Sequence, residues 1–115
     1  MVRTRSIFAA AALLLVGVSD AVAQSDAEWS ARLEADLNAY IVDSAECAGS
    51  MDVVDLERSR SGGRERFYAV VQLNWPPGLR RRPFYVTGQT AELTYQQLLN
   101  AVLYNYGDVW RGCIQ

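Results

Sequence analysis

The sequence contains no histidine and no lysine. Without an imidazole there is no Ser-His or Cys-His pair and no histidine ligand for zinc, and without an ε-amine there is no Schiff base. A hydrolase built on this chain would have to work with carboxylates alone. Cysteine is limited to two residues, Cys47 and Cys113, in no C-x-x-C spacing. A redox motif and a thiolate metal site are therefore not expected. There is also no D-x-D-x-D-G run for calcium. No metal, no cofactor and no catalytic residue is expected. The 11 basic groups are all arginine and are outnumbered by 13 acidic ones, for a formal net charge of −2. Such a chain has no overall field drawing it to nucleic acid.

Half of the residues are hydrophobic and three are tryptophan. That excludes a disordered tail and, at 115 residues, allows one small domain but not two. The one long apolar run, Ile7 to Val18, follows Arg3 and Arg5 and precedes Ala21-Val22-Ala23. As a helix it would span about 18 Å, against the roughly 30 Å of a hydrocarbon core. The order of positive start, short apolar run and small residues is that of a secretory signal peptide over residues 1–23, with Gln24 as the first mature residue. Residues 24–115 then form a single exported α+β domain with no stable membrane span. The short, alanine-rich leader has a bacterial look, so the periplasm is the expected address, with full secretion as the alternative. An oxidising compartment makes a Cys47–Cys113 disulfide the expected state of the two sulfurs. A loop of that length would constrain the unfolded chain by roughly 4 kcal/mol.

Local patterns outline the domain. Ser25-Asp26-Ala27-Glu28 has the form of a capping box. Trp29, Leu33, Leu37, Tyr40 and Ile41 recur at helical spacing behind it, predicting a helix from about 26 to 45. Residues 51–59 fit either period. The Ser61-Gly62-Gly63 turn that follows favours a strand, with Val54 and Leu56 on one face. From Glu65 to Trp75 the alternation is clear: Phe67, Ala69, Val71, Leu73 and Trp75 on one side, Tyr68, Val70, Gln72 and Asn74 on the other. Pro76-Pro77-Gly78 ends that strand, with Pro77 and Gly78 at the two centres of a type II turn. Pro83 to Thr87 is a third strand, so residues 65–88 read as a hairpin. Thr94-x-x-Gln97 opens a second helix over about 94–106, with Gly107 as its C-terminal stop. The fold expected is a small two-layer α+β domain in the order α-β-β-β-α, an antiparallel three-stranded sheet covered by two helices. The disulfide pins the end of the first helix to the C-terminal tail.

Two surface features carry candidate chemistry. The hairpin tip places Trp75 and Leu79 beside Arg80, Arg81 and Arg82 in an otherwise acidic chain. Arginine and tryptophan are enriched at binding hot spots. These five residues are the candidate partner-binding site, with another extracytoplasmic protein as the expected partner. The plainer reading pairs the three arginines across strands to Glu65, Glu57 or Asp55. The acids Asp43, Glu46, Asp52 and Asp55 bracket Cys47 and are expected to be a solvated face. The function expected is a non-enzymatic protein-binding module, such as an inhibitor, accessory subunit or chaperone-like factor. One alternative is a carboxylate-based enzyme or small-molecule carrier with a pocket between helix and sheet. The other is an envelope component touching anionic headgroups through the basic tip.

Overall fold

The computed structural model describes residues 24–75 and 78–115. The leader reading over residues 1–23, and Pro76 and Pro77 of the expected turn, fall outside them. Helix α1 (Asp26–Ala39) is followed by a 3-10 turn (Ala45–Cys47), strands β1 (Ser50–Ser61), β2 (Arg64–Trp75) and β3 (Gly78–Gly88), and helix α2 (Ala91–Val109). The strands form one antiparallel sheet in the order β1-β2-β3. Both helices lie on one side of it. This is the α-β-β-β-α architecture expected from the sequence.

α1 begins where the capping box places it. The Ser25 hydroxyl accepts from the Glu28 amide at 3.1 Å, and the Glu28 carboxylate accepts from the Ser25 amide at 2.8 Å. The helix buries Trp29, Leu33 and Leu37 and stops at Ala39, short of the expected 45. The cause is a distant one. Val42 N–H donates to the Cys113 carbonyl at 2.8 Å, Gln115 N–H donates to the Tyr40 carbonyl at 3.0 Å, and Ile41 bridges Ile114. The C-terminal tail therefore pairs with the chain just past the Tyr40 cap, with Ile41 in the bridge. Cys47 and Cys113 close the same junction, bonded with Cα atoms 5.3 Å apart.

β1 and β2 meet at a two-residue loop whose glycines both take positive φ, Gly62 at 59° and Gly63 at 74°. That is the type I′ pattern matching strand twist. The β1 alternation is broken by a bulge. Val53 pairs with Val71 but Asp55 pairs with Val70. Val54 is consequently turned out to solvent, while Leu56 is buried. The expectation that these two share a face is corrected by that extra residue. In β2, Phe67, Ala69, Val71 and Leu73 are fully buried, as their alternation requires. The hairpin closes with Trp75 paired to Gly78. Gly78 is a strand residue paired with Trp75, not the second centre of a type II turn.

α2 starts earlier than the T-x-x-Q match suggests. Its N-cap is Thr90, which accepts from the Leu93 amide at 3.2 Å. Thr94 is buried inside the first turns, its hydroxyl donating to the Thr90 carbonyl at 2.6 Å. Gly107 lies within the helix. The left-handed residue that turns the chain toward Cys113 is Gly112, at φ 76°. Burial of Trp110 against Trp75, ring centroids 5.9 Å apart, carries the helix past Gly107. Between helices and sheet the space is filled by an aromatic cluster. Trp29 meets Phe67 edge-on at 5.1 Å and Tyr95 at 5.3 Å. Among the described residues no helix is long and apolar enough to cross a membrane.

Candidate functional site: the open face of the sheet

A three-stranded sheet has two faces and two edges; here one face and one edge are covered and the other edge is interrupted. The inner face is packed against α1 and α2. The free edge of β1 is covered by α1 side chains. The Asn38 carboxamide accepts from Met51 N–H at 3.0 Å and donates to the Met51 carbonyl at 2.9 Å. Glu34 accepts from Val53 N–H at 2.9 Å, and Asp26 from Arg58 N–H at 3.3 Å. These three residues share one side of α1, so the helix satisfies the edge that would otherwise template another strand. The free edge of β3 carries Pro83 in its middle, which has no N–H to donate there. What remains is the outer face, and among the described residues nothing packs on it.

Strand register sets out that face in rows. Ser59, Arg66 and Thr87 form one, and Glu57, Tyr68 and Tyr85 a second. Asp55, Val70 and Pro83 form the next. Asp52, Gln72 and Arg81 follow, and Ser50, Asn74 and Leu79 come last. Tyr85 is 59% exposed, Leu79 68% and Val54 45%. A polar chain crosses the upper rows. Arg81 donates to the Gln72 side-chain oxygen through Nε at 3.1 Å and Nη2 at 2.8 Å. Gln72 donates to Asn74 at 2.7 Å, and Asn74 donates to Asp52 at 2.7 Å and to Ser50 at 3.2 Å. The guanidinium on one flank and the carboxylate on the other are thus held in fixed places beside a tyrosine-rich strip. Arginine and tyrosine fixed in this way are the residue types that dominate protein recognition.

The five tip residues do not form one patch. Strand alternation sends Leu79 and Arg81 to the outer face, and Trp75, Arg80 and Arg82 to the helix side. Trp75 is half-buried on Trp110. Arg82 donates to the Asn105 carboxamide oxygen, and its guanidinium lies 5.5 Å from the Tyr106 ring centre. The Tyr106 hydroxyl shares its one proton between the Val71 carbonyl at 2.7 Å and the Arg80 carbonyl at 3.0 Å, which ties α2 to the hairpin. Arg80 is exposed. None of the three arginines pairs with Glu65, Glu57 or Asp55. Glu65 is instead buried between Arg58, at 2.8 Å, and Arg60. Its hydrogen bond from Arg58 holds its carboxyl below the usual range.

The acids around Cys47 are divided. Asp43 and Glu46 lie in the loop before β1, whereas Asp52 and Asp55 lie on the strand. Among the described residues no three carboxylates or cysteines stand together as a metal site would need.

One polar cluster escaped the sequence reading. Arg32 of α1 makes a two-pronged pair with Glu92 of α2 and lies 4.2 Å over the Tyr95 ring, while the Tyr95 hydroxyl donates to Asp36. Burial, reinforced by that hydrogen bond, pushes the Tyr95 hydroxyl well above its ordinary range. The proton is held tightly, so the cluster clamps the two helices and does not present an activated phenolate. The Arg32/Asp36 spacing of four was its only local signal. No family model, no curated protein and no solved structure matches this chain.

Proposed function

We propose that this protein is an exported, disulfide-locked, non-enzymatic binding domain that recognises a protein through the outer face of its sheet. The observation that carries this reading is the contrast between the four surfaces of the sheet. One face is filled, one edge is capped by α1, the other is interrupted by Pro83, and one face is left open with Tyr68, Tyr85, Leu79 and Arg81 upon it. A solvated antiparallel sheet normally turns charged and small polar side chains outward. Two tyrosines facing each other across strands, with Val70 and Pro83 in the adjoining row, are what a contact surface needs. Leu79 and Arg81 remain contact residues in this reading. Trp75 and Arg82 support the hairpin from behind, and Arg80, on the helix side, lies outside the surface. The carrier reading finds little support, because the space between helix and sheet is occupied by Trp29, Phe67 and Tyr95.

The export reading rests on the leader pattern of residues 1–23, and the Cys47–Cys113 bond fits an oxidising compartment such as the periplasm. The test is affinity capture from the envelope extract of the producing cell. Wild-type processed chain is compared with Arg81→Glu combined with Tyr85→Ser, and bound proteins are identified by mass spectrometry. At least one protein retained by the wild type is expected to be lost from the variant, whose melting temperature stays within a few degrees. Identical retained sets would remove the open face from consideration.

A further inference from the structure

The open face is charged unequally across its width. Its β1 column carries Asp52, Asp55 and Glu57, its central column carries Arg66, Tyr68, Val70, Gln72 and Asn74, and its β3 column carries Arg81 between Leu79 and Pro83. Among the described residues Asp52, Asp55, Glu57 and Arg81 have no ionic partners. Among the same residues the Asp52 carboxylate accepts a side-chain hydrogen bond from Asn74 alone, and Arg81 donates to Gln72 alone. Asp52 and Arg81 occupy one row, on opposite sides of Gln72.

Two copies can lay such faces together about either of two in-plane twofold axes. An axis across the strands sets β1 on β1 and acid against acid. An axis along β2 sets β1 of each copy on β3 of the other. Asp52 then meets Arg81 twice by symmetry, Tyr68 and Val70 meet their own counterparts, and Glu57 comes opposite the Tyr85 hydroxyl. Arg66, one row beyond Tyr68, also meets its own counterpart, a like-charge contact that weakens the pair. We infer that the protein covering this face is a second copy of this chain, paired face to face about a twofold axis along β2. The inference rests on the reading of the face as a protein-recognition surface and names its partner. A self-complementary patch of this kind is what the commonest oligomer symmetry requires. With strands about 4.8 Å apart and rising about 3.4 Å per residue, the face offers roughly 450 Å² per copy. That is below the approximately 800 Å² of a standard interface, so the pair is reversible and its formation depends on concentration.

Sedimentation equilibrium on the processed chain, from about 1 µM to about 1 mM, reads this directly. The weight-average mass is expected to climb from one copy toward two. Arg81→Glu alone and Asp52→Arg alone are each expected to raise the dissociation constant at least tenfold. An equimolar mixture of the two variants is expected to recover wild-type association, because each then supplies the charge that the other lost. Recovery on mixing cannot come from repair within one chain. Should either variant fail to fold, the wild type in about 0.5 M salt gives the same reading, since screening weakens exposed ion pairs and lowers the mass. A wild type that stays monomeric throughout overturns the inference, as does a dimer indifferent to both charge reversals. A monomer whose face variant still loses a captured protein overturns the second-copy partner but leaves the recognition reading standing. A monomer whose variant captures the same proteins overturns both.

Discussion

Asn38 holds Met51 by both of its backbone groups, accepting from the N–H at 3.0 Å and donating to the carbonyl at 2.9 Å. One carboxamide on α1 thereby completes the hydrogen bonding of an edge residue on β1. The same amide also donates to the Glu34 carbonyl at 2.8 Å, which fixes its orientation. The helix stands where a fourth strand would otherwise pair.

Asn38→Ala is expected to lower unfolding stability by about 1–3 kcal/mol, the cost of leaving part-buried backbone groups unpaired. It also opens the β1 edge, so the variant should aggregate faster at equal destabilisation than a core variant does. Asn38→Asp keeps the acceptor for Met51 N–H and loses the donor, and it should fall between the two. Urea denaturation together with light scattering measures both effects.

The bulge at Val54 separates two valine and leucine positions that simple alternation would equate. Val54→Ser, on an exposed side chain, should change stability by no more than about 0.5 kcal/mol. Leu56→Ala, at a buried position, should cost about 2–4 kcal/mol. Equal costs in denaturation would mean that β1 runs without the bulge.

The parts of the fold readable in the sequence are those set by neighbours along the chain. The Ser25/Glu28 box, the Phe67-to-Leu73 alternation and the Gly62-Gly63 turn each depend on a few adjacent residues, and each is found in place. With only two cysteines the disulfide had one possible connectivity within the chain. The misplaced boundaries have distant causes. α1 ends at Ala39 because residue 41 pairs with residue 114, and α2 runs past Gly107 because Trp110 is buried on Trp75. Neither pairing leaves a local trace. The site was half visible for a similar reason. Three consecutive arginines look like one charge cluster in a string, but in a strand consecutive side chains point to opposite faces. Only Arg81, with Leu79, reaches the open face, and the Tyr68/Tyr85 pair that accompanies them appears only once the register is known.

Replacing both Cys47 and Cys113 with Ser is expected to lower stability by about 2–4 kcal/mol. The loss should be local first. Amides Val42 and Gln115, which pair across the tail junction, should exchange with solvent much faster, while β2 amides keep their protection at moderate denaturant. Uniform acceleration of all amides would mean that the disulfide supports the whole fold equally.

The pH dependence should have two limbs. Arg58 and Arg60 hold the buried Glu65 carboxyl below its ordinary value. A lowered folded-state value gives stability that is present above the unfolded value, near 4.3, and is lost as pH falls through the folded one. Glu92 is lowered mainly by Arg32 and adds a smaller contribution because that pair is exposed. Glu65→Gln should flatten the acid limb. Tyr95 behaves oppositely. Its raised value means the unfolded chain gives up the proton first, so stability falls as pH rises above about 10. Tyr106 is raised by burial too, so Tyr95→Phe should reduce the alkaline limb without abolishing it, with thermal melts across pH as the measurement.

Tyrosine labelling of the protein in its own envelope extract tests recognition by the open face most directly. Tyr68 and Tyr85 lie on that face at 39% and 59% exposure, while Tyr40 and Tyr104 lie elsewhere at 40% and 85% and serve as internal controls. Iodination followed by peptide mass spectrometry, in extract and then on the dilute isolated chain, should show Tyr68 and Tyr85 protected in extract and the two controls unchanged. Equal labelling of all four in both settings, or protection confined to Tyr104, would contradict the account.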